Sequence, residues 1–315
     1  MSSAISVRGL RKSYGEQTVL DGIDLSVPEG TIFSLLGPNG AGKTTTVQIL
    51  STLIDAEDGT VRVAGHDVAT ERTAVRGAIG VTGQFSAVDE LLTGRENLLL
   101  MADLHHLPRA EGRRLADELL SRFDLEEAAG RTAATYSGGM TRRLDLAMTL
   151  VGAPRIIFLD EPTTGLDPRS RRSMWQIIRS LVDDDGVTVF LTTQYLEEAD
   201  ELADRIAVLD HGRIVAEGTA AELKRLVPGG HIRLRFADAD ALDRAAAVLD
   251  TAQIVGEEFT LAVPSDGGVA ALRAVLDRLD LHHLEPAGLA VHTPNLDDVF
   301  LSLTGHAADP KETVR

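Results

Sequence analysis

Residues 31 to 44 read Thr31-Ile32-Phe33-Ser34-Leu35-Leu36-Gly37-Pro38-Asn39-Gly40-Ala41-Gly42-Lys43-Thr44. The apolar run Ile32, Phe33, Leu35 and Leu36 predicts a buried strand that enters a glycine loop and then a helix. Gly37 to Thr44 fits G-x-x-x-x-G-K-[ST]. Glycines let several backbone N–H groups turn inward on one small volume, which side chains would block. A helix starting at Lys43 adds its positive end. Lys43 brings a mobile cation to terminal phosphates, and the Thr44 hydroxyl suits Mg²⁺. The stretch predicts a nucleoside triphosphate site.

Outward from this loop, composition sets limits. The chain has 315 residues and 43% hydrophobic content, enough for a real core in one large and one small domain, or two medium ones. Its net charge is −17. A face that grips nucleic acid usually leaves a basic excess or cluster, and neither is evident, so no nucleic-acid partner is expected. There is no cysteine, hence no disulfide frame and no thiolate metal site, which suits the cytoplasm. Met1 to Arg8 has no apolar signal core. No apolar run approaches the roughly 18 residues of a membrane span. The expectation is a soluble chain that, if it works on a membrane, docks on something already there.

Before the loop, Ile5-Val7, Val19-Leu20 and Ile23-Leu25-Val27 alternate with polar residues between turn signals, as in a small antiparallel sheet. Tyr14 lies in its first turn region and could stack on a purine; an exposed turn tyrosine is the plainer reading. After the loop, Thr44 to Leu53 reads as helix, 60–63 as a hairpin strand, and 78–81 as a short buried strand ending at Gly83-Gln84. From about 88 to 150 the pattern is helical, with His105-His106 at a pause read as surface. Ser137-Gly138-Gly139 precedes a helix with apolar Leu144, Ala147, Met148 and Val151; Ser137 is a fair N-cap. Ile156 to Leu159 is apolar on every position, as in a strand covered on both faces, and ends in Asp160-Glu161-Pro162. Adjacent acids there need a reason, since unpaired buried charge is costly. Mg²⁺ on Asp160 and a water activated by Glu161 as general base supply one, with Glu161 pointing the other way along the strand. A strand over 187–191 follows, ending at Thr192-Thr193-Gln194, and the acid run 183–185 reads as a solvated turn. Strands alternating with helices indicate a mostly parallel α/β sheet with its site at the carboxyl edge.

Five elements now stand in order: Gly37 to Thr44, Gln84, Ser137-Gly138-Gly139, Asp160-Glu161-Pro162 and Gly165-Leu166-Asp167. Over residues 4 to 225 they resemble the nucleotide-binding subunit of ATP-binding cassette (ABC) transporters. The resemblance implies a P-loop NTPase core with an antiparallel β subdomain and a helical subdomain. It implies that Tyr14 stacks on adenine, though GTP would stack nearly as well. Gly37, Pro38, Asn39, Gly40, Ala41, Gly42, Lys43, Thr44 and Thr45 would hold phosphates. Thr44, Gln84 and Asp160 would hold Mg²⁺. Ser137, Gly138 and Gly139 would bind ATP held by a second copy in a head-to-tail dimer, with Asp167 speaking across that interface. The usual signature is Leu-Ser-Gly-Gly-Gln; here Tyr136 and Met140 replace its ends. The switch position, usually His, is Gln194. An amide donates a hydrogen bond but cannot become cationic, which implies slower hydrolysis with little titration of kcat near pH 6 to 7. Val81 to Gln84, Tyr136 to Ala147 and Thr192 to Asp200 resemble the daunorubicin/doxorubicin-resistance type of ATP-binding protein. That implies efflux of a drug-like or lipid-like substrate through a separate multi-span membrane permease, from the inner face of the membrane. A soluble non-transport ABC ATPase or a nucleotide-dependent regulator is the alternative.

The expected domains are 1–228 for the cassette, with its helical subdomain at about 88–150, and 229–305 for a small C-terminal α+β unit. The order βαββαβ there suggests a ferredoxin-like fold. A last helix starts at Asn295, and 306–315 is expected to be a flexible tail. Dimer contact or regulation is expected of this unit.

Overall fold

The computed structural model describes residues 3–83, 86–227, 230–249, 252–255, 259–265, 268–292 and 294–304. The chain divides into two compact units, Met1–Ala220 and Ala221–Arg315. The division falls ahead of the boundary expected between Pro228 and Gly229, both of which lie outside the described residues.

In the first unit β1 (Ser3–Tyr14) and β2 (Gln17–Pro28) form one long hairpin. The sequence suggested shorter pieces. The strands instead run on through Gly9 and Gly22, both at positive φ, while register shifts absorb the irregularity. β3 (Ile32–Leu36) leads into α1 (Lys43–Leu50), which stops short of Leu53, with Thr52 turned to φ 64°. β4 (Asp58–Val63) and β5 (His66–Asp67) complete a four-stranded antiparallel sheet of order β2-β1-β4-β5. α2 (Arg72–Ala78) precedes β6 (Ile79–Thr82). The sequence did not reveal α2, because it buries Val75 alone and so shows no apolar period.

α3 (Gly94–Leu104), α4 (Arg109–Arg122) and α5 (Gly138–Leu150) follow. Thr93 and Glu96 close a capping box at the start of α3. Next come β7 (Ile156–Asp160), α6 (Pro168–Asp183), β8 (Thr188–Thr193), α7 (Leu196–Leu202), β9 (Arg205–Asp210) and β10 (Arg213–Gly218). The main sheet has the order β10-β9-β3-β8-β7-β6. All neighbours are parallel except β10, which is antiparallel to β9.

Its strands are apolar on consecutive positions because helices cover one face, and α1 with the antiparallel sheet covers the other. Ile157, Leu159, Val189 and Leu191 face Leu98, Phe123, Leu144 and Trp175. Ile156, Phe158, Phe190, Phe33 and Leu35 face Ile5, Leu10, Leu20 and Val63. Phe190 stacks on Phe33 at 5.5 Å and meets Phe158 at 5.7 Å, its register partners on either side. Burying each such ring is worth about 2 to 3 kcal/mol. This row fixes the register that brings the carboxyl ends of β3, β7 and β8 level. The run 183–185 is exposed as expected: Asp183 ends α6, Asp184 and Asp185 form the turn, and Asp185 also pairs with Arg122 at 2.6 Å.

α8 (Ala220–Lys224) begins on the last residue of the first unit, and the second unit goes on with β11 (His231–Arg235), α9 (Ala239–Val248), β12 (Gln253–Ile254), β13 (Thr260–Pro264), α10 (Val269–Leu281), β14 (Gly288–His292) and α11 (Leu296–Thr304). The sheet is antiparallel throughout, in the order β12-β13-β11-β14. Ile232, Leu234, Leu242, Leu261 and Leu279 form its core. At the start of α11, the Asp298 N–H donates to Asn295 Oδ1 (2.8 Å), and the Asn295 N–H donates to Asp298 Oδ2 (3.0 Å). Residues 306–315 lie outside the described residues. No described helix is long and apolar enough to cross a membrane.

Candidate active site

The loop between β3 and α1 needs its glycines. A Cβ on Gly37 would stand 2.3 Å from the Leu209 carbonyl oxygen. Gly42 holds φ 110°, and a Cβ there would stand 2.6 Å from Leu20 Cδ2. Gly37, Ala41 and Gly42 are buried, while Asn39 and Gly40 are exposed at the rim. Val19 and Leu20 also meet Gly42, so the β1–β2 hairpin adjoins the loop. At that end Tyr14 pairs with Gln17, is 51% exposed, and carries the Lys12 ammonium 5.4 Å from its ring.

Lys43 is not the mobile cation expected. It is 5% exposed; Nζ donates to Gly37 O (2.9 Å) and Pro38 O (3.2 Å) and pairs with Glu161 Oε1 at 3.4 Å. Burial pulls its pKa below the usual lysine value, and Glu161 opposes the shift. Asp160 is buried at the end of β7. Its Oδ1 accepts from Thr192 Oγ1 (2.5 Å) and Thr44 Oγ1 (3.4 Å). A hydroxyl and a carboxylate converging at the mouth of a phosphate cradle form the oxygen donor set a hard divalent cation takes. Among the described residues no three His, Asp or Glu side chains form a closed metal cage. Such a cation would share its shell with phosphate oxygens and water.

Glu161 does not continue the strand alternation. β7 ends at Asp160, and Glu161 turns to φ 51°, a sparsely populated conformation that stores about 1 to 3 kcal/mol. The turn swings its carboxylate back to Lys43 instead of away along the strand, and Thr164 Oγ1 donates to its other oxygen (3.3 Å). Both acids therefore face the loop. Gln194 lies half-buried on the bend after β8, and Thr45 is half-buried in the first turn of α1. Gln84 lies outside the described residues.

Ser137 caps α5, accepting from the Met140 N–H at 3.3 Å. Ser137 and Gly138 are exposed, and no heavy atom beyond the adjoining chain lies within 4 Å of a Cβ placed on Gly138. The departures at the ends of this turn are structural. Tyr136 donates its hydroxyl to Ala128 O (2.8 Å) and fills the space that a Cβ on Gly94 would take. Met140 packs on the helical core. Asp167 caps α6, accepting from the N–H groups of Arg169 and Ser170 (both 3.0 Å) and from Ser170 Oγ (2.5 Å). The Ser170 hydrogen bonds hold its pKa below the ordinary aspartate value. Ser170 in turn stands against Gly139. The turn at 137–139 and Asp167 are thus neighbours in one chain.

Two features escaped the sequence reading. One is Arg142, described below. The other is Glu198, which is fully buried on α7. Thr163 Oγ1 (2.8 Å) and Trp175 Nε1 (3.0 Å) donate to its Oε1. Glu197-Glu198 reads in sequence as a solvated pair, and only the apolar spacing of Leu196, Ala199 and Leu202 hints otherwise. Burial pushes the Glu198 pKa above its usual value of 4.5. An acid with a raised folded pKa contributes stability that is complete below the unfolded value and is lost as pH rises through the folded one. Glu198→Gln is therefore expected to melt at or above the wild type at pH 8, with the gap closing at pH 5. Glu198→Ala is expected to cost about 1 to 3 kcal/mol by leaving Thr163 and Trp175 unpaired. Melting curves of the three proteins at both pH values check this; a wild type that gains on Glu198→Gln with rising pH contradicts it.

A glycine loop entering a helix, a hydroxyl and a buried carboxylate beside it, a second carboxylate on a strained turn and a capped glycine turn are the parts expected of an ATP-binding cassette. Residues 20–164 match the ABC transporter family. The chain belongs to that family and is an ATPase. Within it, the chain is of the daunorubicin/doxorubicin-resistance type. It is 48% identical to the daunorubicin/doxorubicin resistance ATP-binding protein DrrA of Streptomyces peucetius, over 98% of this chain and 95% of that one. It is 39% identical to the Nod factor export ATP-binding protein I of Paraburkholderia xenovorans, over 96% and 97% of the two chains. Among solved structures it is similar to an ATP-binding cassette dimer in a post-hydrolysis state bound to ADP and Pi. The TM-score is 0.63 and the identity 29%, over 68% of this chain and 98% of that one.

Proposed function

We propose that two copies close head to tail over two ATP molecules and drive efflux of a drug-like or lipid-like substrate through a separate multi-span membrane permease. Each nucleotide lies between residues 37–45 of one copy and Ser137-Gly138-Gly139 of the other. Thr44, Gln84 and Asp160 would hold Mg²⁺, which would supply charge neutralisation at the phosphates. Glu161 takes the proton of the attacking water, and Gln194 donates its amide to the γ-phosphate. Asp167 sets the turn at 137–139 through Ser170. Tyr14 stacks on the base and accepts adenine or guanine alike. The C-terminal unit, read as ferredoxin-like, contributes dimer contact or regulation.

The observation that carries this reading is the exposed turn at Ser137 and Gly138: a capped helix start where, among the described residues, nothing lies within 4 Å of a Cβ placed on Gly138. Near-full-length likeness to resistance and export proteins supports a transporter over a soluble ABC ATPase. On this reading the protein sits at the inner face of the membrane through its partner. Co-expression with its multi-span membrane partner is expected to move the chain to the membrane fraction and to yield a complex in detergent with ATPase activity. A chain that stays in the supernatant and never co-purifies contradicts it.

A further inference from the structure

Arg142 stands one turn into α5, just past the Ser137–Gly139 turn. All five of its N–H groups have an acceptor. Nε donates to Pro162 O (2.9 Å). Nη2 donates to Asp160 O and Glu161 O (both 3.2 Å). Nη1 donates to Gly83 O (3.0 Å) and to Asp145 Oδ2 (3.4 Å). Asp145 is buried, and its other oxygen accepts from the Ala87 N–H at 3.0 Å. One planar group thus joins three segments: the helix that opens with Ser137-Gly138-Gly139, the segment that carries Asp160 and Glu161, and the chain on both sides of Gln84 and Phe85. The guanidinium's side chain is 14% exposed. Hydrogen bonds from a charged group in such surroundings are strong and directional.

We propose that Arg142 is a positioning residue that locks the Ser137–Gly139 turn of each copy to its own Glu161 and Gly83, and so couples the two shared ATP sites. The inference rests on the head-to-tail reading. In that arrangement the turn serves one nucleotide while Glu161 and Gly83 serve the other. A displacement at Glu161 or Gly83 is then transmitted along the guanidinium to the turn, and from there to the second site. The link is short and contiguous, which makes it testable by substitution. Lysine keeps the charge but offers three donors on one nitrogen, so it cannot span these acceptors.

The test compares wild type, Arg142→Lys and Asp145→Asn as full chains. ATP turnover is measured against ATP concentration, together with nucleotide binding and thermal melting. Arg142→Lys is expected to lower kcat about tenfold. It is also expected to bring the Hill coefficient towards one and to leave nucleotide binding close to wild type, with the protein melting lower but still folded at the assay temperature. Asp145→Asn keeps the shape and removes the anion, and is expected to move both readouts the same way by less. Unchanged kcat and Hill coefficient in Arg142→Lys overturn the proposal. So does a loss of kcat that follows the loss of folded protein, which would mark a merely structural role. If wild type itself shows a Hill coefficient of one and no ATP-dependent dimer, the head-to-tail reading fails, and the proposed coupling of sites is overturned with it. A kcat loss in Arg142→Lys without loss of fold would then leave Arg142 as a residue that positions Glu161 within one chain.

Discussion

Glu161→Gln is expected to lower ATP turnover about 1000-fold, the scale of a lost general base, while ATP binding stays within a few-fold of wild type. The substitution keeps size and shape, so the strained turn at φ 51° and the Thr164 hydrogen bond can persist. What it removes is the negative charge 3.4 Å from the Lys43 ammonium. The amide cannot accept a proton from water, so the chemical step fails. With its ion pair gone, Lys43 is also freer to meet the γ-phosphate, which favours binding. Phosphate release at saturating ATP and nucleotide titration separate the two effects. Turnover above a tenth of wild type would move the base elsewhere.

Lys43→Met is the second large effect. ATP affinity is expected to fall about 30- to 100-fold, the equivalent of about 2 to 3 kcal/mol for charge-assisted hydrogen bonds. The side chain is of similar length, so packing around it changes little. The interaction lost from the complex is that of Nζ with phosphate; before nucleotide binds, Nζ is held by Gly37 O, Pro38 O and Glu161. Those same groups compete with phosphate for the ammonium, so Lys43 must leave them to bind ATP. The net gain is therefore smaller than that of a free cation. Titration of a fluorescent nucleotide measures it. Wild-type affinity in Lys43→Met would mean that Lys43 remains on the loop carbonyls and serves the fold instead.

The strand, glycine loop and helix at 31 to 44 were legible because each has a short-range cause: an apolar run, permissive glycines and a helix start. The parallel sheet was legible from runs such as Ile156 to Leu159. Short elements were not. α2 and α7 have 7 residues each, fewer than two complete turns: α2 buries Val75 alone, and the spacing of Leu196, Ala199 and Leu202 gives α7 no more than a hint. In the site, residue types at fixed spacing announced Lys43, Asp160 and Glu161, but not their orientation. Nothing local in the sequence shows that Glu161 takes a positive φ or that Lys43 is tied to loop carbonyls. Arg142, Asp145 and Glu198 were illegible for a different reason. Apart from the Arg142–Asp145 contact, their partners lie between 18 and 59 positions away along the chain, at Asp160, Glu161, Pro162, Ala87, Gly83, Trp175 and Thr163, and a charged side chain reads as solvent-facing until the fold brings those partners to it.

In the proposed head-to-tail arrangement the glycine loop is one half of a site completed by Ser137-Gly138-Gly139 of a second copy. The mass of Glu161→Gln in solution, with and without ATP and Mg²⁺, tests it most directly. A monomer of 33.7 kDa is expected without nucleotide, and a species of twice that mass with it. The added change Ser137→Arg at the exposed turn is expected to abolish that species while ATP still binds. A Glu161→Gln protein that binds ATP yet stays monomeric would contradict the account.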